Sequence, residues 1–205
     1  MITYNKKQVK QKGKTKMRFT TKKICFTAVF LALNVIFSSS IFSIPVPGGH
    51  LYINDIIICT AALVLDPLSA FIVGGVGSFL GDFFFYPTPM FVSLVTHGLQ
   101  AVAISLIAGA GKNEKPVLWR AIVALLVGVI IMVSGYTIGR AFIYSTPETA
   151  MLKLPFQCLQ AFTGAIVAAI LVFATPLVKL IAPKEKQKFA KQRTKQTRNQ
   201  RINDI

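Results

Sequence analysis

Acidic residues and cysteines are scarce in this sequence, and the scarcity of cysteine excludes two kinds of site. Of 205 residues, 7 are Asp or Glu and 3 are Cys. Cys25, Cys59 and Cys158 all lie within apolar stretches, and no CxxC or Cys/His spacing occurs. A disulfide framework or a zinc site is therefore not expected, and the three cysteines are interpreted as small buried apolar residues.

Sequence motifs of common enzymes are absent as well. The chain has no HExxH, no GxSxG and no Walker A sequence, so it is not expected to hydrolyse ATP itself. Gly81-Asp82 resembles half of an aspartyl intramembrane protease site, but no second Asp lies in a comparable span. His97 has no Ser or Cys partner that spacing identifies. We therefore expect no enzyme, no metal and no cofactor.

Long apolar runs dominate the sequence instead. Apolar residues make up 53% of the chain, charged residues only 15%, and the mean hydropathy is +0.59. A helix of about 20 apolar residues crosses a bilayer core of about 30 Å. The predicted spans are Ile24–Ile44, Leu51–Leu65, Leu68–Phe85, Met90–Gly111, Val117–Ile143 and Pro155–Ile181. The predicted fold is all-α, a polytopic membrane bundle of six transmembrane helices within residues 24–182.

Positive charge is concentrated in the two tails, residues 1–23 and 183–205. With both termini inside, the inner segments hold 21 Lys or Arg, and the outer loops hold only Arg140 and Lys153. The positive-inside rule therefore predicts a multi-pass protein of the cell membrane with both termini cytoplasmic. The tails do not interleave aromatic residues with their charges, so a lipid bilayer rather than nucleic acid is the expected partner.

Polar residues within the predicted spans gather toward the outer side. We expect six of them to line one outward pocket above an apolar plug: Asn54, Asp82, His97, Tyr136, Arg140 and Gln160. Other interpretations stay open for single residues. Asn54 and Asp55 also suit a helix cap, Gln157 suits backbone bonding near Pro155, and Arg140 suits an ion pair with an internal carboxylate, Asp82 or Glu148.

Three stretches, in order, resemble the substrate-binding S components of energy-coupling factor (ECF) vitamin transporters. The first is Thr27-Ala28 through Ala32, similar to the AxxxA motif of that family. The second runs from Asn54-Asp55 to Gly81-Asp82. The third is similar to a GY, [IL]P, LQ and GA pattern, found here as Gly135-Tyr136, Leu154-Pro155, Leu159-Gln160 and Gly164-Ala165. The branch that the chain looks closest to takes hydroxymethylpyrimidine, pyridoxine and similar precursors.

The resemblance implies high-affinity capture of a small vitamin from outside and its delivery inward. The implied partners are a membrane T component, which would dock on Ala28 and Ala32, and two ATPase subunits. Related sequences often carry an acidic residue shortly after the GY pair, where this chain has Arg140. If Arg140 faces the pocket, it favours an anionic or carbonyl-rich ligand. The alternatives are a stand-alone secondary transporter or small-solute channel, a membrane enzyme, and an assembly protein without a ligand.

Overall fold

The computed structural model describes residues 21–39, 42–111 and 115–181. Its main elements are eight helices: α1 (Thr21–Phe37), α2 (Asn54–Val64), α3 (Pro67–Phe71), α4 (Gly77–Phe85), α5 (Met90–Ala108), α6 (Leu118–Gly139), α7 (Pro147–Ala174) and α8 (Leu177–Ile181). Most of the two basic tails lies outside the described residues. The predicted division of the chain into two tails and a membrane domain therefore stays a prediction.

Two π-helical turns continue the long helices of the bundle. Ile72–Val76 joins α3 to α4, and Arg140–Tyr144 extends α6. Four helical stretches within the described residues are thus long and apolar enough to cross a membrane: Pro67–Phe85, Met90–Ala108, Leu118–Tyr144 and Pro147–Ala174. The fold is helical as predicted, with four candidate spans, while α1 and α2 are shorter than the spans predicted for them.

A small β-hairpin, β1 (Ile44–Val46) paired antiparallel with β2 (Gly49–Leu51), lies between α1 and α2. The sequence predicted a continuing helix as far as Ile44 and then a break. Instead α1 ends at Phe37, and the buried Ser38 and Ser39 follow it. Gly48 at the turn has a φ of 80°, which glycine adopts without strain. We call the end of the bundle that carries this hairpin the hairpin end.

Helix α7 begins earlier than predicted, at Pro147 rather than Pro155. Thr146 caps it: its hydroxyl accepts from the Thr149 amide, while the Thr149 hydroxyl accepts from the Thr146 amide. Proline suits the first helical turn because its missing N–H has no intrahelical partner there. Pro155 consequently lies inside the helix, and about two additional turns of α7 reach the hairpin end.

The half of the bundle opposite the hairpin end is packed with aliphatic side chains. The largest fully buried ones are Ile58, Leu63, Leu65, Ile104, Val73 and Val172. Large apolar side chains also cover the outer faces of α5, α6 and α7, where Phe91, Leu106, Ile130 and Ile166 are all more than half exposed. An apolar exterior around an apolar core is typical of a helix bundle surrounded by lipid.

Candidate functional site

A cavity opens at the hairpin end of the bundle. Its free space, counting the open mouth, is about 580 Å³. Its wall includes all six residues predicted from the sequence, Asn54, Asp82, His97, Tyr136, Arg140 and Gln160. The structure thus brings together side chains from α2, α4, α5, α6 with its π-turn, and α7. Their role as ligand contacts remains a prediction.

Asp55 anchors a buried network of polar side chains beside the cavity. Its carboxylate accepts from Gln100 Nε2 at 3.2 Å and from Gln160 Nε2 at 2.7 Å. Gln100 Oε1 lies 2.7 Å from His97 Nδ1, and because an amide oxygen only accepts, this ring nitrogen donates. A Cβ on Gly164 would lie 2.5 Å from Asp55 Cβ, so glycine there lets α7 approach α2. The network fixes the orientation of His97 and Gln160.

A second network connects Tyr136 to Asp82 through Ser93. The Tyr136 hydroxyl donates to Ser93 Oγ at 2.5 Å, and Ser93 in turn donates to Asp82. Ser93 is fully buried, whereas its two partners line the cavity. The contact depends on close packing of α6 on α5, where a Cβ on Gly135 would lie 2.6 Å from Thr96 Oγ1. Three helices therefore share one polar chain behind the cavity wall.

Two cationic side chains hold the hairpin over the cavity. Arg140 Nη1 donates to the Gly48 carbonyl at 2.6 Å, and Lys153 donates to the His50 carbonyl. The Arg140 guanidinium also lies over the Tyr144 ring, 5.2 Å from its centroid. Among the described residues, no salt bridge joins Arg140 to Asp82 or Glu148, so the internal ion pair considered above is absent there.

Aromatic rings make up much of the remaining wall. Tyr52, Tyr86, Tyr136, Tyr144 and His50 all line the cavity. His97 meets the Tyr136 ring edge-on at 5.2 Å between centroids. Burial, together with the negative charge of Asp82, raises the pKa of the Tyr52 hydroxyl to about 12. That phenol therefore stays protonated at neutral pH and keeps a hydrogen to donate.

Two interpretations of single polar residues do not hold in the structure. Helix α2 is capped at Ile53 without a side-chain hydrogen bond, so Asn54 and Asp55 are not caps. Instead Asn54 Nδ2 donates to Ser38 Oγ at 3.0 Å. Gln157 does bond a backbone carbonyl, but it is that of Val133 on α6, at 2.8 Å, rather than one near Pro155.

Sequence reasoning missed several cavity residues, above all Lys153 and Tyr144. Lys153 was assigned to an outer loop because α7 was predicted to start at Pro155. With the observed start, Lys153, Gln157 and Gln160 follow a spacing of four and three residues, which places them on one helical face. Tyr144 likewise lies four residues after Arg140. The correct start of α7 and the correct end of the Arg140–Tyr144 turn would have placed both residues in the predicted site.

Ala28 and Ala32, the predicted docking residues, lie on the exposed side of α1. Their neighbours on that side are also exposed, with Ile24 at 53%, Val29 at 56% and Ile36 at 50%. The opposite side carries Thr27, Phe30 and Asn34, which are buried against the bundle. The small-residue stripe is thus exposed in the described part of the chain, and its docking role stays a prediction.

Comparison with known proteins identifies the family. Residues 18–178 match the family described as ECF-type riboflavin transporter, S component. This chain belongs to the S components of ECF transporters. It is also 31% identical over 142 residues to an uncharacterised protein encoded in the gap 3' region of Pyrococcus woesei, covering 68% of this chain and 91% of that protein. A UPF0397 protein of Lactococcus lactis subsp. cremoris (strain SK11) is 25% identical over 185 residues, covering 83% and 93%.

The family match confirms several predictions made from the sequence. The chain is a multi-pass membrane protein and a non-catalytic, substrate-binding subunit for vitamin uptake. An S component also implies a vitamin substrate and the other subunits of an ECF transporter. The family description names riboflavin, whereas the sequence motifs resembled the pyrimidine and pyridoxine branch.

Proposed function

We propose that this S component captures a vitamin with a flat heteroaromatic ring, with riboflavin the first candidate, from outside the cell. The observation that carries the proposal is the convergence of Asn54, Asp82, His97, Tyr136, Arg140 and Gln160 on one cavity with four tyrosines in its wall. Aromatic side chains stack on flat rings, while a few fixed polar groups orient the ligand. The family name supports riboflavin in particular.

A pyrimidine or pyridine vitamin, such as hydroxymethylpyrimidine or pyridoxine, is the second candidate. It is favoured by the motifs around Gly135-Tyr136 and Leu159-Gln160, and one buried atom of the cavity wall is compatible with it. Asn54 Oδ1 has no hydrogen-bond partner among the described residues. An amino or hydroxyl substituent on a single ring would supply the missing donor.

The membrane arrangement belongs to this proposal. Six membrane helices would consist of the four long ones together with α1 and α2. Helix α1 has 17 residues and α2 has 11, or about 25 Å and 16 Å at the usual rise per residue. Helix α2 is buried over nearly its whole length, so protein rather than lipid would surround it. With both termini cytoplasmic, the cavity would open outward.

Delivery inward would require partner subunits, because the chain has no ATP-binding motif. The exposed Ala28 and Ala32 on α1 would let a helix of the T component approach closely, since small residues four apart permit tight helix packing in lipid. Two ATPase subunits would supply the energy. A stand-alone secondary transporter, the alternative, would instead support uptake without these subunits.

Ligand identification tests the proposal. We expect protein purified from cells supplied with vitamins to release a flat heteroaromatic vitamin on denaturation, identified by mass spectrometry. Riboflavin fluorescence should also fall on titration with vitamin-free protein. Failure of riboflavin, pyridoxine and hydroxymethylpyrimidine to bind folded protein would remove the proposed substrate class.

A matched pair of variants on α2 locates the site. Asn54→Ala should weaken vitamin binding by about 1–3 kcal/mol, roughly fivefold to a hundredfold, if Asn54 bonds the ligand. Thr60→Ala is the control, because Thr60 lies on the same helix and is also buried, but donates to the Ile56 carbonyl and does not line the cavity. Equal affinities of the two variants would remove Asn54 from the site.

A further inference from the structure

Two cationic groups, one buried and one half-buried, flank one open spot at the mouth of the cavity. Lys153 is only 3% exposed, and Arg140 is half-buried beside it. A Cβ built on Gly49 would lie 3.4 Å from Arg140 Nη1 and 3.8 Å from Lys153 Nζ. Because Gly49 has no side chain, the space between the two positive charges is left open by the hairpin.

Neither cation has an anionic partner among the described residues. The ion pairs found there are Lys23 with Asp66 and, if His97 is protonated, His97 with Asp55. Asp82 is the one acidic side chain on the described cavity wall, and Ser93 donates to it. Lys153 and Arg140 instead contact neutral backbone carbonyls of the hairpin. Burying charge without a counter-charge is costly, so an arrangement of this kind favours an anion.

Arg140, Tyr144 and Lys153, which all line the cavity, also carry unused donors. Arg140 Nε and the Tyr144 hydroxyl are buried and have no hydrogen-bond partner within the described chain. Lys153 uses one of its three N–H groups on the His50 carbonyl, which leaves two. A neutral ring with few acceptors would leave several of these donors unpaired, whereas a group with two or three anionic oxygens would satisfy them.

We propose that Lys153, Arg140 and Tyr144 form a subsite for an anionic oxygen group of the captured solute, a phosphate monoester or a carboxylate. The inference rests on the proposed capture function and specifies the substrate further: the solute carries its ring in the aromatic part of the cavity and its anion at the mouth. A phosphate monoester, with a charge of about −1.5 to −2 at neutral pH, matches the two cations better than a single carboxylate. The anion would take over N–H groups that now contact the hairpin carbonyls.

The experiment compares each vitamin with its phosphate ester on the full chain. Riboflavin, riboflavin 5'-phosphate, pyridoxine and pyridoxine 5'-phosphate are titrated against the wild type, Lys153→Met and Lys115→Met. We expect Lys153→Met to weaken binding of the esters by about tenfold to a hundredfold more than it weakens binding of the neutral vitamins. Lys115→Met is the matched control, because Lys115 also donates to a carbonyl, that of Phe173, but lies outside the cavity.

A second readout does not depend on the vitamin. Inorganic phosphate, and separately acetate, should raise the melting temperature of the wild type above that in chloride at equal ionic strength. Lys153→Met should lose this rise and Lys153→Arg should keep it, because arginine retains the charge. A rise with phosphate alone assigns a phosphate ester, and a rise with acetate as well assigns a carboxylate.

The outcomes separate the subsite from the proposed function. If Lys153→Met weakens neutral vitamins and esters by the same factor, Lys153 only supports the hairpin and the anion subsite is wrong. The subsite is also wrong if neither anion stabilises the wild type. If no tested vitamin binds but phosphate stabilises the wild type and not Lys153→Met, the subsite stands and the proposed ring chemistry fails. Should Lys153→Met not fold, the wild-type preference between ester and vitamin and its response to phosphate decide.

Discussion

Ser93 connects two cavity residues without facing the cavity itself. Its hydroxyl receives the hydrogen of Tyr136 and gives its own to Asp82. Each of the three residues lies on a different helix, so the serine on α5 links α4 to α6. Removing the hydroxyl would leave the Tyr136 phenol and the Asp82 carboxyl group without their shared partner.

We therefore predict that Ser93→Ala weakens vitamin binding by about 1 kcal/mol, roughly fivefold. The physical reason is that Tyr136 and Asp82 lose the contact that holds them in place. Ser105→Ala is a matched control on the same helix: Ser105 is equally buried and donates to the Leu65 carbonyl, far from the cavity. Both variants should lower the melting temperature in detergent, but only Ser93→Ala should lower affinity. Loss of affinity in both would assign the effect to general destabilisation.

The neighbours Asn54 and Asp55 show how far a sequence alone predicts the role of a single residue. Composition and position predicted that polar residues at the start of α2 would matter, and Asn54 does line the cavity. Adjacent residues on a helix point about 100° apart. Whether Asp55 faces a ligand or a protein partner thus depends on Gln100 and Gln160, which are distant in sequence. Periodicity alone contains no information on such partners.

Glycines determine how closely the helix formed by α3, the π-turn and α4 approaches α1. A Cβ on Gly77 would lie 2.6 Å from Asn34 Nδ2, and one on Gly81 would lie 2.4 Å from Ser38 Cβ. Real Cβ atoms do not come this close to a neighbour, so any larger residue would push the two helices apart. Ser38 lines the cavity and bonds Asn54, which connects this packing to the site.

We predict that Gly81→Ala destabilises the protein by about 1–3 kcal/mol, the usual cost of overpacking. It should also weaken vitamin binding, because Ser38 and Asn54 would move with α1. Differential scanning fluorimetry and a vitamin titration measure the two effects. Gly109→Ala, at the far end of α5, controls for loss of a glycine: its φ is 68°, so it should cost stability without changing affinity. An unchanged melting temperature in Gly81→Ala would contradict the close packing of these helices.

Helix α1 has one packed side and one exposed side, and the exposed side carries Ala28 and Ala32. We predict that Ala28→Trp or Ala32→Trp abolishes vitamin uptake in cells while leaving binding to the purified subunit unchanged. A bulky ring on a small-residue stripe prevents close approach of a partner helix, whereas the cavity is elsewhere. Thr163→Trp, an exposed small residue on α7, controls for adding tryptophan to a lipid-facing surface. Normal uptake and normal recovery of the T component with both alanine variants would disprove docking at this stripe.

Element types were easier to predict than element ends. Long apolar runs predicted the bounds of helices α5 and α6 within a few residues. The hairpin was missed because three-residue strands rich in proline and glycine resemble a loop in sequence. The start of α7 was missed because Pro155 indicates a boundary only when the preceding segment cannot be helical, and here the Thr146 cap and Pro147 start the helix upstream. That one boundary concealed Lys153 from the predicted site.

Over the whole molecule, the buried polar side chains gather at the hairpin end, whereas most of the positive charge belongs to other segments. The buried polar networks and the cavity lie at the hairpin end, and the aliphatic core fills the other half. By sequence, 21 of the 23 Lys and Arg belong to the tails and loops that are predicted to be cytoplasmic. The two exceptions, Arg140 and Lys153, are the cations that line the cavity. Positive charge at the hairpin end thus lines the cavity, and the positive charge of the other segments is available to set the orientation of the protein in the membrane.

We therefore predict that both termini are cytoplasmic and that the hairpin end faces outward. Lys and Arg near membrane helices are retained on the cytoplasmic side, and an even number of spans returns the chain to that side. Reporter fusions at Ile2 and Asp204 should both give a cytoplasmic signal, and an insertion at Ser145, between the Arg140–Tyr144 turn and α7, should give an external one. Opposite signals from the two termini would mean an odd number of spans, which would leave α1 or α2 outside the set of membrane helices. Two external termini would turn the cavity toward the cytoplasm and exclude capture from outside.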